Sequence, residues 1–207
     1  MTILLSDPRV SAVPVHECGE PLVPLDAGFG PARALVRAGL ADRLTEARNA
    51  LPQGIALKVV EGHRSVADQR AIIATYTAEV CAARPGVLPD ELRRLVNRFV
   101  SPVEVAPHVA GAAVDLTLVD ARGDEMDLGT PIDATPEQSD GRCWTAADGI
   151  GASARAHRYL LASVLAGAGL VNYPTEWWHW SFGDRYWALT TGAAAAVYGP
   201  LDVAVAA

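Results

Sequence analysis

Residues 107–119 read Pro107-His108-Val109-Ala110-Gly111-Ala112-Ala113-Val114-Asp115-Leu116-Thr117-Leu118-Val119. From Ala112 onward the run is apolar apart from Asp115 and Thr117. A two-residue period puts Val114, Leu116 and Leu118 on one face and Asp115 with Thr117 on the other. This predicts a buried strand over 112–119. A carboxylate inside such a strand must be paired, hydrogen-bonded or bound to a metal. His108 lies on the loop that enters the strand, and in a straight strand its seven-residue offset would face it away from Asp115. Gly111 allows the chain to turn between them, so the two side chains can converge. Spacing alone leaves two readings open: a core carboxylate beside an unrelated loop histidine, or two ligands of one metal.

Residues 1–27 are proline-rich with little periodicity and predict an extended arm. Leu35, Val36, Leu40, Leu44 and Ala47 recur at helical spacing and predict a helix over 31–51, broken by Pro52-Gln53-Gly54. Residues 55–61, IALKVVE, predict a short buried strand that delivers Glu61-Gly62-His63-Arg64 at its end. Ser65 then caps a helix over 66–83, with Asp68 in the first turn, and Asp90 caps a shorter one over 91–99. Residues 120–149 are rich in Asp, Gly, Pro and Thr and predict a long loop of the kind that often carries function. A helix over 152–168 turns Tyr159, Leu160, Val164 and Leu165 inward. After Pro174, TEWWHWSF and RYWAL flank Gly183-Asp184 and predict a hairpin.

The chain has 207 residues, of which 50% are hydrophobic and 20% charged. That is a globular composition, and it predicts one domain over 1–207. The formal net charge is −7, and Lys58 is the one lysine among 17 basic residues. No basic stripe is present, so a nucleic-acid partner is not expected. No apolar run is long enough for a membrane span. The start, MTILLSDPRV, has neither a basic n-region nor a long apolar core, which predicts no secretory signal and a cytoplasmic protein. Cys18, Cys81 and Cys143 form no C-x-x-C pair and read as unpaired thiols. A phosphate-cradling G-x-x-x-x-G-K, a G-x-S-x-G elbow and an H-E-x-x-H helix are all missing from the sequence.

A second signal is Glu176-Trp177-Trp178-His179. Four of the five tryptophans fall between 177 and 187, so an acid and a histidine sit among large rings. A low-dielectric setting raises a carboxylate toward a general-base value. A packed aromatic hairpin with its polar residues outward is the plainer reading of this segment alone. Taken together, the two signals supply His108, Asp115 and His179. Three protein ligands with one open position are what a catalytic zinc requires. Glu176, beside the third ligand, is placed to take a proton from water.

These segments resemble the zinc D-alanyl-D-alanine dipeptidases of the vancomycin-resistance type. That family belongs to the superfamily of D-Ala-D-Ala metallopeptidases, lysostaphin and the hedgehog signalling domain. Its motifs, S-x-H-x-x-G-x-A-x-D and E-x-W-H, stand here as Ala106-x-His108-x-x-Gly111-x-Ala113-x-Asp115 and Glu176-x-Trp178-His179. GEPLVPL at 19–25, GHRS at 62–65, LGTPID at 128–133 and EWWHWSFGDRYWA at 176–188 also fit. The resemblance implies an α+β fold, with a small, mainly antiparallel sheet and flanking helices. It implies one zinc per chain, held by His108, Asp115 and His179, with Glu176 as catalytic base and later acid. Arg64 would polarise the scissile carbonyl, and Asp133 would help hold the substrate's ammonium group. The expected substrate is D-Ala-D-Ala or a closely related small dipeptide, in a pocket kept small by Trp177, Trp178 and Trp180. One departure stands out: Ala106 replaces a serine that would contact the substrate's amino end. Two rivals remain, a D,D-carboxypeptidase or endopeptidase acting on peptidoglycan stems and a non-catalytic zinc module. The missing export signal argues against the first, and the presence of Glu176 and Arg64 against the second.

Overall fold

A computed structural model describes residues 2–201. In chain order its elements are α1 (Pro8–Ala12), β1 (Leu22–Pro24), β2 (Leu35–Arg37), α2 (Ala38–Asn49), β3 (Ala56–Glu61), α3 (Val66–Ala83) and α4 (Pro89–Val96). They continue with β4 (Ala113–Val119), α5 (Pro136–Ser139), α6 (Ala152–Gly167), β5 (Val171–Asn172), β6 (His179–Ser181) and α7 (Arg185–Thr191). β3, β4, β6 and β5 lie side by side in that order as an antiparallel sheet, and β1 pairs antiparallel with β2. The fold is therefore α+β with small antiparallel sheets and flanking helices. No helix among the described residues is long and apolar enough to cross a membrane.

The predicted strand is β4, the centre of the larger sheet. Val114, Leu116 and Leu118 are fully buried and pack with Leu40 and Leu44 of α2 and Leu161 and Leu165 of α6. Asp115 points to the opposite face. Cross-strand register then does something the alternation of β3 does not suggest. Leu57 faces Leu118 and Val59 faces Leu116, yet the next pair is Glu61 with Asp115, because a bulge falls between Val59 and Glu61. One extra residue moves Glu61 from the core side of the sheet to the Asp115 side. On the other edge of β4, Asp115 pairs with His179. Glu61, Asp115 and His179 thus form one row across three strands.

Several expected elements differ. The helix expected over 31–51 begins at Ala38; Leu35–Arg37 instead pairs with Leu22–Pro24, since a short apolar run fits either period and the available strand partner decides. The expected arm over 1–27 contains α1, where the Asp7 carboxylate caps the Arg9 amide and Pro8 opens the helix, and also β1. The helix expected over 91–99 with Asp90 as its cap instead runs Pro89–Val96, two residues earlier, with Leu88 at the N-cap and Asp90 inside the first turn. The hairpin after Gly183 is not formed. Asp184 accepts hydrogen bonds from the Tyr186 and Trp187 amides and so starts α7. The hairpin partner of β6 is β5, which precedes it. Tyr159 points outward, 70% exposed, and Leu161 takes the inward position. Cys18 and Cys81 are exposed and Cys143 is buried, and all three are free thiols.

Candidate metal centre and active site

His108 sits in the turn just before β4. Gly111 makes that turn with a φ of +64°, and a Cβ there would collide with Leu22. The buried Arg37 holds the turn from behind, its amide donating to the Gly111 carbonyl and its Nε to the Ala110 carbonyl, each at 2.9 Å. His108 and Asp115 accordingly converge, as a chain reversal at Gly111 allows. His108 Nδ1 lies 2.7 Å from the Gly62 carbonyl oxygen, an acceptor only. Nδ1 therefore carries the proton, and the Nε2 lone pair faces the cluster. Gly62 is closely fitted as well, for a Cβ there would run into the Leu35 carbonyl.

His108 Nε2 lies 3.1 Å from His179 Nδ1 and 3.3 Å from an Asp115 carboxylate oxygen, and His179 Nδ1 is 3.0 Å from the other. All three residues are buried, and their donor atoms lie within 4.8 Å of one another. With both imidazoles neutral, at most one proton, on His179 Nδ1, is available among these lone pairs. If that proton resides on Nε2 instead, it has no partner there, since the buried Nε2 makes no hydrogen bond among the described residues. A cation satisfies this excess of lone pairs, and two imidazoles with one carboxylate are a borderline donor set that suits zinc. Burial alone would raise the Asp115 carboxyl. The neighbouring His108 and His179 outweigh burial and hold it far below the usual carboxylate range.

Glu176 belongs to the turn joining β5 to β6. The Asn172 side-chain amide donates to the carbonyls of both Glu176 and His179, at 3.0 Å each, and pins that turn. The Glu176 carboxylate comes within 4.0 Å of His179 Nδ1. Burial pushes its pKa well above the ordinary value, and the charges of Asp115 and Asp133 push the same way. Arg64 is held rigidly. It makes a two-pronged ion pair with Glu61, at 2.7 and 2.5 Å, and a 2.8 Å bond to the Gln69 side-chain oxygen, while Gln69 donates to the Ser101 carbonyl. Asp133 occupies a left-handed conformation with a φ of +62°, uncommon away from glycine. Its pKa is raised to about 6, first by burial and then by Asp115 and Glu61.

These side chains meet in one cleft of about 270 Å³. Arg64, His108, Asp115, Asp133, Glu176 and His179 line it together with the apolar Leu5, Ile72, Phe99 and Val100. Glu61 and Gln69 also line it and are the site residues that motif reading passed over. The signal for Glu61 was its three-residue spacing to Arg64, visible only once the bulge is known. Two expectations need correction. Trp177, Trp178 and Trp180 are core residues, each at most 3% exposed, and none lines the cleft. Ala106 is buried and lines a separate small crevice with Asp184 and Arg185, and it is not among the residues lining this cleft.

A convergent donor set, a buried acid and a clamped guanidinium on one cleft floor are the parts of a hydrolytic centre. Comparison with known proteins gives the family. The profile described as D-Ala-D-Ala dipeptidase, Peptidase M15, matches residues 32–192, and the chain belongs to that family. A D-alanyl-D-alanine dipeptidase of Synechocystis sp. is 27% identical over 86% of this chain and 87% of its own length. One from Escherichia coli K12 is 35% identical over 72 residues, 35% of each chain. Among solved structures, a point mutant of the vancomycin-resistance D,D-pentapeptidase VanY from the VanB-type cassette, in complex with Zn(II), has a TM-score of 0.48 at 16% identity. It covers 77% of this chain and 82% of that one.

Proposed function

We propose that this chain is a zinc-dependent dipeptidase that hydrolyses D-alanyl-D-alanine or a closely related small dipeptide. The observation that carries the reading is the buried His108–Asp115–His179 cluster with the Glu176 carboxyl 4.0 Å from it on the same cleft floor. His108 Nε2, one Asp115 oxygen and His179 Nδ1 would hold the metal, one per chain. Zinc in such a site supplies a Lewis acid and a bound water whose pKa is lowered to about 7.

The remaining roles belong to the protein. Glu176, in its desolvated pocket, has the basicity to take the water proton as the oxygen adds to the carbonyl carbon. It returns that proton to the leaving amine as the C–N bond breaks, so one group serves as base and then acid. Arg64 places a fixed positive charge where the carbonyl oxygen becomes negative. Its clamp by Glu61 and Gln69 means that little reorganisation accompanies the reaction. Asp133 accepts hydrogen bonds from the substrate's free ammonium and so requires an unblocked amino end.

The reading is tested by incubating the zinc-loaded protein with D,D-, L,D- and L,L-dipeptides and with a peptidoglycan-type pentapeptide. Rapid release of D-Ala from D-Ala-D-Ala is expected, with little action on the pentapeptide. Preference for the pentapeptide moves the assignment to a stem-peptide carboxypeptidase, and cleavage of none favours a non-catalytic zinc module.

A further inference from the structure

The family match begins at residue 32, yet part of the cleft wall comes from residue 5. The segment before α1 is fastened across the molecule rather than merely resting on it. The Leu5 amide donates to the Tyr173 hydroxyl, and the Tyr186 hydroxyl donates to the Ile3 carbonyl, both at 3.3 Å. The Arg185 guanidinium donates to the carbonyls of Ser11 and Val13 just beyond. Leu5 is 5% exposed and packs with Val10, Val105, Tyr173 and Tyr186. The ring of Tyr173 stands edge-on to His179 with centroids 6.0 Å apart. The strap is thus tied through one tyrosine to the immediate surroundings of the donor cluster. It contributes an apolar side chain to a cleft that charged residues also line.

We infer that residues 3–13 are a substrate-selecting strap and that Leu5 sets the size of side chain the cleft admits at one of the two dipeptide positions. The inference rests on the reading of the cleft as the dipeptide site. An apolar wall discriminates between substrates by fit, and each methylene gained or lost changes the ratio of specificity constants roughly ten- to two-hundredfold. Leu5→Ala deepens the wall by three carbons, whereas Leu5→Phe fills it.

The experiment measures kcat/KM of wild type, Leu5→Ala and Leu5→Phe, all as the full zinc-loaded chain, on D-Ala-D-Ala, D-Ala-D-Leu and D-Leu-D-Ala. Dissociation constants for the same dipeptides are measured in parallel with each Leu5 form carrying Glu176→Gln, and zinc content is determined for every variant. Leu5→Ala is expected to raise the ratio of one leucine-containing dipeptide to D-Ala-D-Ala by about tenfold or more. Leu5→Phe should lower the same ratio, the other leucine dipeptide should change little, and the dissociation constants should follow. Ratios that stay within twofold, or three rates that fall in parallel, overturn the inference and leave the strap a purely structural element. A wild-type protein that cleaves none of the three overturns the dipeptidase reading itself, and this inference with it.

Discussion

Glu176 and His179 are three residues apart on one turn and differ in what their loss should do. His179 offers a lone pair to the donor cluster, whereas the Glu176 carboxyl stands 4.0 Å off. His179→Ala should lose bound zinc. Glu176→Gln should keep it and lose turnover by about 10²- to 10⁴-fold or more, since one group acts twice. Metal analysis beside steady-state kinetics separates them, and near-normal turnover in Glu176→Gln would require a different base. Asp133→Asn keeps the shape of its side chain but gives up the negative charge. A hydrogen bond to a charged group is worth about 1.5–3 kcal/mol, so KM for D-Ala-D-Ala should rise roughly ten- to hundredfold. Acetylating the substrate amine should abolish cleavage by wild type. Equal rates on blocked and free substrates would remove Asp133 from the ammonium site. Sequence reading reached Glu176 and His179 through a short motif with chemistry in its spacing, and Asp133 through the family resemblance of LGTPID alone. It passed over Gln69, whose only mark was an ordinary helical position. It placed Ala106 beside the substrate, whereas in the structure Ala106 lines another crevice.

At the level of elements, the site is made by two backbone irregularities. The turn at Gly111 brings His108 back over β4, and the bulge between Val59 and Glu61 brings Glu61 onto the Asp115 face. Gly111→Ala introduces a side chain at a φ of +64° against Leu22. Such strain costs about 1–3 kcal/mol. We expect a lowered thermal midpoint and, because His108 moves with the turn, weaker zinc binding as well. Calorimetric unfolding and zinc titration of the variant check both. A midpoint and affinity equal to wild type would show that the turn does not set the ligand geometry. The glycine was legible as a place where the chain could reverse. The bulge was not, because nothing in IALKVVE distinguishes regular pairing from a one-residue slip until the partner strand is known. The same limit explains β2 and α7. Leu35–Arg37 is a strand because Leu22–Pro24 lies beside it. RYWAL is helical because Asp184 caps it, a choice that outweighs the strand preference of its aromatic residues.

At the level of the whole molecule, one sheet separates two environments. Its core face is closed by α2 and α6 and contains Trp177, Trp178 and Trp180. Its other face carries the row of Glu61, Asp115 and His179 and opens into the cleft. That division lets a buried carboxylate and two imidazoles persist beside one another, provided a cation joins them. In the proposed reading this cation is zinc and the loaded centre cleaves D-Ala-D-Ala. The most direct test of that reading is release of free D-Ala by the purified chain, before and after treatment with a chelator and during titration back with zinc. Activity should vanish with the metal and return in proportion to zinc, reaching its plateau at one equivalent per chain. Undiminished hydrolysis by the metal-free protein, or no D-Ala released at full zinc occupancy, would contradict it.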